Sequence, residues 1–333
     1  MPQQVQYTQL GKSGLRVSVP ILGTMGFGTP EWMPWALNEE KSMEILKAAW
    51  DRGINTFDTA NTYSNGECER IIGRFIKKYS IPRSQIVILT KCFSIVADEP
   101  STVAWYPHEV EHQRRYVNQG GLSRAALFNQ VDGCLERLQT SYIDLLQIAR
   151  YDPSTPAEEI MKTLHDLVQS GKVRYIGGSS MRTWQFAHLN ETAARNGWTK
   201  FVSMEDEYSL LYREEEREMH PYCRFNGIGI LVWSPLFGGN LARPIGNSST
   251  RMEATNNSPY AFNPTDADRE IVSRVEELSK KHGVSMATVA LAWVASKVSS
   301  PVVGTSSVKR LDDNIPSPDL KLSSEEVEYL EEP

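Results

Sequence analysis

Long hydrophobic runs and an excess of positive charge are both missing from this sequence. No apolar segment reaches the ~18 residues that a membrane-spanning helix needs. The N-terminal segment, MPQQVQYTQL, lacks the apolar core of a signal peptide. The 41 acidic residues outnumber the 35 lysines and arginines, which gives a formal net charge of −6. These features support neither a membrane protein nor a nucleic-acid partner, and they predict a cytoplasmic protein.

Cysteine is sparse, and the cysteines and histidines lack the spacings of metal sites. The four cysteines are Cys68, Cys92, Cys134 and Cys223. They match no zinc or redox motif. His108 and His112 stand four residues apart, but no further ligand pattern accompanies them. We therefore expect free thiols in a reducing compartment and no bound metal.

The sequence does contain a regular alternation of short β-rich runs and longer amphipathic runs. The candidate strands span 20–24, 55–60, 86–91, 145–149, 175–180, 201–205, 228–234 and 301–305. The helical patterns span 39–52, 67–79, 123–138, 156–170, 183–196, 213–225, 266–282 and 285–298. Alternating strands and helices imply a parallel sheet, and eight such units close into a barrel. We predict an α/β fold, a (β/α)8 TIM barrel that forms one domain over residues 1–333.

Three segments lie outside this repeat. The segment 11–18, GKSGLRVS, is typical of a hairpin turn, and we expect the hairpin to cap the bottom of the barrel. The segments 93–122 and 240–265 are long, and loops of such length are usually functional or disordered. Because each follows a predicted strand, we expect both on the C-terminal face, where the sites of such barrels form.

Polar side chains stand where several apolar strands end. These residues are Asp58, Lys91, Ser179, Glu205 and Ser234. A charge at the C-terminal end of a barrel strand is typical of a catalytic group, although each one alone could be a cap or a salt-bridge partner. Their joint placement favours a site.

Asp58, Tyr63 and Lys91 can be combined into one mechanism. Reduction of a carbonyl group builds charge on its oxygen, which then needs a proton. A tyrosine hydroxyl with a pKa of about 10 is a poor acid near neutrality, and a neighbouring lysine should lower that pKa. A carboxylate can hold the lysine in place. Because the three positions belong to neighbouring strands, we expect them to converge on one proton donor.

Several long motifs in a fixed order carry a resemblance to a known family. They are LGKSGLRVS, LGTMGFG, GINTFDTANTYSNGECERIIG, ILTK, SYIDLLQI, GKVRYIGGSSM, YSLLYREEEREM, WSPLFGGNLARP and PVVGTSSVKRLDDN. Over nearly its full length the chain resembles the aldo-keto reductases, in particular the fungal branch near aryl-alcohol dehydrogenases and versiconal-type reductases. The resemblance implies that Tyr63 is the proton donor, supported by Lys91 and Asp58, and that the cofactor is NADPH or NADP+.

The same resemblance implies which residues bind the cofactor. Ser179, Ser180 and Glu205 match the positions that meet the nicotinamide carboxamide, and Trp233 matches the aromatic ring that stacks on the nicotinamide. Gly23, Thr24 and Met25 match the cofactor contact at the first barrel strand. Asp58 matches a further position on the nicotinamide side. The pyrophosphate segment matches Ser234, Pro235, Leu236, Gly238, Gly239, Leu241 and Arg243. The adenosine-phosphate segment matches Gly304, Ser306, Ser307, Lys309, Arg310, Asp313 and Asn314.

The adenosine-phosphate segment also makes sense from its own chemistry. The run TSSVKRLDDN places hydroxyls and two cations at the start of a short helix. Helix N-termini and cations favour phosphate, and a second cation favours a 2′-phosphate, hence NADP over NAD. No GxGxxG fingerprint is present, because GTMGFG has the wrong spacing and context.

The sequence departs from the family pattern at strand four and at 205–206. Ala149 stands where the family has a catalytic histidine, and alanine can neither donate a hydrogen bond nor relay a proton. The loss of one such donor lowers the rate about 10²–10³-fold, so we expect impaired activity. Glu205 and Asp206 replace the usual Gln–Asn pair. Two explanations for Ala149 stay open, namely an engineered His-to-Ala change and a natural variant.

The expected function is NADPH-dependent reduction of an aldehyde or ketone. Trp32, Trp35 and Trp105 follow strands one and three and could line an aromatic substrate pocket, or pack within their loops. By family analogy we expect an aromatic or polyketide-like small-molecule carbonyl substrate. The alternatives are a diverged cofactor-binding protein with altered reaction type and a non-catalytic, redox-sensing module. No pattern indicates an oligomeric state.

Overall fold

The structure is a computed structural model that describes residues 5–110, 112–255 and 261–333. The chain begins with an antiparallel hairpin, β1 (Gln6–Gln9) and β2 (Arg16–Val19). Eight parallel strands then close into a barrel in the order β10-β3-β4-β5-β6-β7-β8-β9. The barrel strands are β3 (Ile21–Gly23), β4 (Thr56–Asp58), β5 (Val87–Cys92), β6 (Ile143–Ile148), β7 (Val173–Ser179), β8 (Ser203–Glu207), β9 (Gly229–Trp233) and β10 (Ser300–Gly304). The predicted (β/α)8 TIM barrel is confirmed.

Helices lie between the strands and on the outside of the barrel. They are α1 (Glu39–Asp51), α2 (Glu67–Lys78), α3 (Arg124–Leu138), α4 (Ala157–Gln169), α5 (Thr183–Arg195), α6 (Met219–Asn226), α7 (Thr250–Thr255), α8 (Asp266–His282), α9 (Met286–Lys297), α10 (Val308–Asn314) and α11 (Ser324–Glu331). Local chemistry fixes several of their ends. Ser123 caps α3, because its side chain accepts a hydrogen bond from the Ala126 N–H. Glu158 and Glu159 lie in the first turn of α4, where negative charge is favoured.

The helix predicted over 213–225 begins later than expected. Glu214–Glu216 form only a short 3₁₀ turn, and α6 starts at Met219. Pro221 explains the difference. A helix running from Arg213 would place this proline in its interior, where its ring and its missing N–H break the hydrogen-bond ladder. In α6 the proline lies in the first turn, which tolerates it.

The hairpin closes the N-terminal end of the barrel, as predicted. Leu10 and Val17 pack in one buried cluster with five strand residues: Ile21, Leu89, Leu145, Leu231 and Val302. Gly11 makes the close approach possible. It has φ of +57°, and a Cβ there would lie 2.4 Å from the Gly229 nitrogen. This end of the barrel is therefore a packed apolar layer.

The long loops after β5 and β9 meet the loop after β3 at the other end. Trp105 of the β5 loop contacts Trp32, with ring centroids 5.4 Å apart. Arg251 of the β9 loop lies over Trp35, 4.5 Å from its ring centroid. Both loops are therefore on the C-terminal face, as predicted, although residues 111 and 256–260 fall outside the described part. No helix within the described ranges is long and apolar enough to cross a bilayer.

Candidate active site at the C-terminal end of the barrel

Three charged side chains meet inside the barrel where their strands end. The Lys91 ammonium lies 2.6 Å from Asp58 Oδ1 and 3.2 Å from Glu205 Oε1. It also donates to the Thr59 carbonyl oxygen at 3.2 Å. Asp58, Lys91 and Glu205 are each at most 5% exposed. One lysine is therefore shared by two buried carboxylates, so the three groups together carry more negative than positive charge when all are ionised.

Gln147 joins the same cluster and was not among the predicted site residues. Its Nε2 lies 2.6 Å from Glu205 Oε2 and 3.4 Å from Asp58 Oδ1, so it links the two carboxylates. A polar residue in the apolar strand run LLQI was the signal that could have found it. Pairing between β5 and β6 sets Gln147 beside Lys91, which the sequence alone did not indicate.

The pKa values of this cluster follow from burial and from the excess of carboxylates. Burial and repulsion by Glu205 raise the pKa of Asp58 well above its usual range, although Lys91 opposes the shift. Burial lowers the pKa of Lys91, but attraction to Asp58 and Glu205 outweighs burial and holds the pKa above its usual value. Lys91 is therefore a firmly bound cation.

Tyr63 lies in the loop after β4, beside this cluster. The Lys91 nitrogen is 5.8 Å from the centre of the Tyr63 ring, and Trp32 packs on the tyrosine at 6.3 Å between centroids. Burial raises the pKa of Tyr63 well above its usual value, Lys91 opposes the shift, and Asp58 and Glu205 add to it. Lys91 thus acts in the expected direction, but it does not bring the pKa of Tyr63 below its usual value. Desolvation exceeds the effect of a cation that two carboxylates share.

Ala149 directly follows β6, at the same end of the barrel. Its backbone N–H donates to the Cys92 carbonyl oxygen at 3.0 Å, and its methyl group is half-buried. The position offers no side-chain donor. Any hydrogen bond to a reacting oxygen must come from another residue.

The predicted nicotinamide-side residues form a connected group on neighbouring strand ends. Ser179 Oγ donates to the Glu205 carbonyl oxygen at 2.8 Å, and Trp233 Nε1 donates to Ser180 Oγ at 2.9 Å. Thr24 Oγ1 donates to the Asp58 carbonyl oxygen at 2.7 Å. The flanking residues Gly23 and Met25 lie at the end of β3 and just after it. The Glu205 carboxylate itself faces Lys91 and Gln147.

Backbone strain is concentrated in the loops next to this group. Ser180, Ser234 and Phe237 have φ values of 49°, 54° and 45°. Non-glycine residues rarely adopt the left-handed region, and such residues cluster at functional sites. The strain occurs directly after β7 and in the segment after β9. Both segments were predicted to contact the cofactor.

The predicted phosphate-binding segments follow β9 and β10. The turn after β9 contains Pro235, Leu236, Gly238, Gly239 and Leu241, with left-handed glycines at φ 65° and 100°. Ser307 caps α10, and Arg310 donates to Ser306 Oγ at 2.6 Å. Gly304 and Lys309 are exposed, whereas Asn314 is buried. The Asp313 carbonyl oxygen accepts a hydrogen bond from Thr288 Oγ1.

Each of the two phosphate segments contains an arginine. Burial and the like charge of Arg310 lower the pKa of Arg243. Among the described residues, neither Arg243 nor Arg310 forms an ion pair; Arg243 donates to Met252 Sδ at 3.5 Å, and Arg310 donates to Ser306 Oγ at 2.6 Å. Cations without a carboxylate partner favour an anionic ligand.

No group of three or more histidine, cysteine, aspartate or glutamate side chains that could hold a metal occurs within the described ranges. All four cysteines are buried free thiols. The predicted site contains an ammonium, carboxylates, a phenol and guanidinium groups.

Comparison with known proteins fits this geometry. The model of the Aldo/keto reductase family matches residues 21–333. The chain belongs to this family. It is 51% identical to an aldo-keto reductase of Alternaria alternata, over 98% of this chain and 91% of the relative. It is 48% identical to a versiconal hemiacetal acetate reductase of Aspergillus parasiticus, over 99% and 97%. It is 50% identical to a putative aryl-alcohol dehydrogenase of Schizosaccharomyces pombe, over 98% and 95%.

Membership of the aldo/keto reductase family supports an oxidoreductase that acts on carbonyl and alcohol groups of small molecules with a nicotinamide cofactor. The family resemblance drawn from the sequence motifs is confirmed. Asp58 and Lys91 lie in two of these motifs, and both belong to the buried charged cluster at the strand ends.

Proposed function

We propose that this chain is an NADP(H)-dependent oxidoreductase that interconverts a small-molecule carbonyl and its alcohol, with Tyr63 as the proton donor. The observation that carries the proposal is the buried contact of Lys91 with Asp58 beside Tyr63 at the C-terminal end of the barrel. This end holds the active sites of TIM-barrel enzymes. The names of the relatives, which include reductases and aryl-alcohol dehydrogenases, support the same chemistry.

The residues around the barrel mouth fit a nicotinamide dinucleotide phosphate. Arg243 and Arg310, which form no ion pair within the described residues, could bind phosphate together with the exposed Lys309. Ser179, Ser180 and Trp233 could hold the nicotinamide end at the strand termini. The extra cations favour NADP over NAD, because a 2′-phosphate adds negative charge at the adenosine end. When bound, the cofactor supplies or accepts the hydride.

The chain's own residues supply the proton and its control. Tyr63 donates its phenolic proton to the carbonyl oxygen during reduction and takes it back during oxidation. Lys91 stabilises the resulting tyrosinate, and Asp58 fixes the position of Lys91. Ala149 contributes no donor to the reacting oxygen. Protonation of the reacting oxygen therefore depends on Tyr63 more heavily than it would if a second side-chain donor were present.

Glu205 supports natural divergence of the site over an isolated engineered change at Ala149. A single His-to-Ala substitution would not place a second carboxylate on Lys91, yet Glu205 makes that contact at 3.2 Å. An engineered change at position 149 alone would therefore leave the acidic pair at 205–206 unexplained. Whether Ala149 limits the rate can be measured directly.

The test is Ala149→His with NADPH and a panel of aromatic aldehydes, followed by absorbance of the reduced cofactor. We expect slow turnover by the chain and an increase of about 10²–10³-fold in the variant, because the introduced histidine supplies one oxyanion donor. NADPH binding, followed by fluorescence, should stay unchanged. If neither protein oxidises NADPH with any carbonyl, the proposed activity is wrong.

A second candidate is a cofactor-binding protein without turnover. The strongly raised pKa of Tyr63 and the missing donor at position 149 favour it, since both weaken carbonyl activation. This candidate predicts tight NADPH binding with no rate increase in Ala149→His. The same experiment therefore separates the two functions.

A further inference from the structure

An acidic cleft opens beside the barrel mouth, between the start of α5 and the turn that precedes α6. It has a volume of about 610 Å³ and shares Ser180 and Trp233 with the proposed nicotinamide end of the site. Five carboxylates line it, against two arginines, Arg182 and Arg217. Arg217 is already paired with Glu214 at 3.0 Å. The cleft is therefore strongly negative.

Asp206 makes this cleft different from an ordinary acidic surface. Its side chain is 1% exposed, and neither carboxylate oxygen has a hydrogen-bond partner among the described residues. An unpartnered buried carboxylate is strongly unfavourable, so such a group needs a ligand, a cation or a proton. Asp206 lines the cleft, and its buried charge lies beneath the cleft surface.

Two further carboxylates add to the negative charge around Asp206. Glu207 and Glu215 are half-buried, and no ion pair recorded within the described residues neutralises either of them. Burial and the charges of Glu215 and Glu205 raise the pKa of Asp206, and an interaction with the Ser180 backbone N–H, which lies outside hydrogen-bond geometry, opposes the shift. Burial and the charge of Glu215 raise the pKa of Glu207 to about 6, and Arg150 opposes that shift. Three carboxylates that repel one another across one cleft would be stabilised together by a single positive charge.

Three aromatic residues contribute to the walls of the cleft. Trp184, Tyr212 and Trp233 line it, and the Trp184 side chain is 58% exposed. Tyr151 packs edge-on against Trp184 at 5.9 Å and holds the indole in place. Aromatic faces beside carboxylates attract organic cations, and quaternary ammonium groups are the best-known ligands of such cages.

We propose that this cleft is a binding site for an organic ammonium group, held by Asp206 and Glu215 and packed against Trp184. The ligand class follows from the combination of charge and aromatic surface. A small inorganic cation would use the carboxylates but leave the aromatic walls without a role. A neutral aromatic ligand would leave Asp206 unpaired.

The test is a calorimetric titration of the full chain with choline, in which choline chloride replaces sodium chloride so that ionic strength stays constant. The comparison ligand is 3,3-dimethyl-1-butanol, a neutral isostere of choline. We expect choline to bind at least about tenfold more tightly than the alcohol. The titration needs neither cofactor nor carbonyl, so its result is independent of the proposed enzyme activity.

Variants assign the binding to this cleft. Asp206→Asn and Glu215→Gln should each weaken choline binding about tenfold, and Trp184→Leu about fivefold, because each removes one part of the cage. Glu44→Gln, on the exposed face of α1, is the matched control and should change nothing. Trp184 is exposed, so its variant should fold even if Asp206→Asn does not. Equal binding of the two ligands, no binding of choline, or choline binding unaffected by both Trp184→Leu and Glu215→Gln would overturn the proposal.

Discussion

The two ends of the barrel are built from the same strands but differ sharply in chemistry. At the N-terminal end, Leu89 and Leu145 pack in an apolar layer beneath the hairpin. Two residues further along the same strands, Lys91 and Gln147 point to the same face and enter the charged cluster. One layer stabilises the barrel, and the next carries the chemistry.

This arrangement means that stability and activity can be changed separately. Side chains in the apolar layer pack against one another and enter none of the hydrogen bonds at the mouth, so their loss should weaken folding without altering the mouth. Side chains at the mouth are held by hydrogen bonds and ion pairs whose rearrangement should alter catalysis first. The substitutions that follow test this separation.

The largest expected effect is at the mouth. Tyr63→Phe removes the phenolic proton and should lower kcat about 10²–10⁴-fold, the usual contribution of a general acid. NADPH affinity should stay within twofold. The measurement is steady-state turnover with parallel fluorescence titration of NADPH. Tyr329→Phe, on α11, serves as control and should leave both quantities unchanged.

The next effect belongs to the apolar end. Leu231→Ala creates a cavity at a fully buried position and should lower the free energy of unfolding by about 2–5 kcal/mol. Chemical denaturation measures this loss, and kcat of the folded fraction should not change. Phe225→Ala, at a side chain that is 88% exposed, should leave the unfolding free energy nearly unaltered. A large loss of kcat in Leu231→Ala would show that the two ends are coupled.

A smaller effect is expected at the phosphate segments. Arg310→Ala removes one charge-assisted contact and should weaken NADPH binding about tenfold, while NADH binding stays the same. Arg174→Ala, at the start of β7 on the opposite end, is the control. Equal loss for both cofactors would contradict a role for Arg310 in recognising the 2′-phosphate.

The sequence predicted the barrel well because strand–helix alternation is a local pattern. It also predicted which polar residues stand at strand ends, and the fold brings Asp58, Lys91 and Glu205 together. The helix predicted over 213–225 begins only at Met219, because Pro221 disfavours a helix that runs on from Arg213. The resemblance to aldo-keto reductases carried the cofactor assignment, which the residues alone did not provide.

Other features depend on register and could not be predicted locally. Whether a strand residue faces the barrel interior or the surrounding helices depends on pairing across the sheet. For this reason Gln147 was missed, and the different roles of the adjacent Glu205 and Asp206 were not foreseen. The direction of the Tyr63 pKa shift was also beyond the sequence, because it depends on how deeply the hydroxyl is buried.

The most direct test of the account is a measurement of the pKa of Tyr63. The chain is labelled at the tyrosine ring carbon and titrated by NMR, and the Tyr63 signal is assigned by its absence in Tyr63→Phe. Burial first, and the charges of Asp58 and Glu205 in addition, keep the pKa of Tyr63 above its usual value of 10. Glu205→Gln removes one negative charge, which favours the tyrosinate, so the pKa of Tyr63 should fall. A Tyr63 pKa below 10 in the unaltered chain, or an unchanged or higher pKa in Glu205→Gln, would contradict the account.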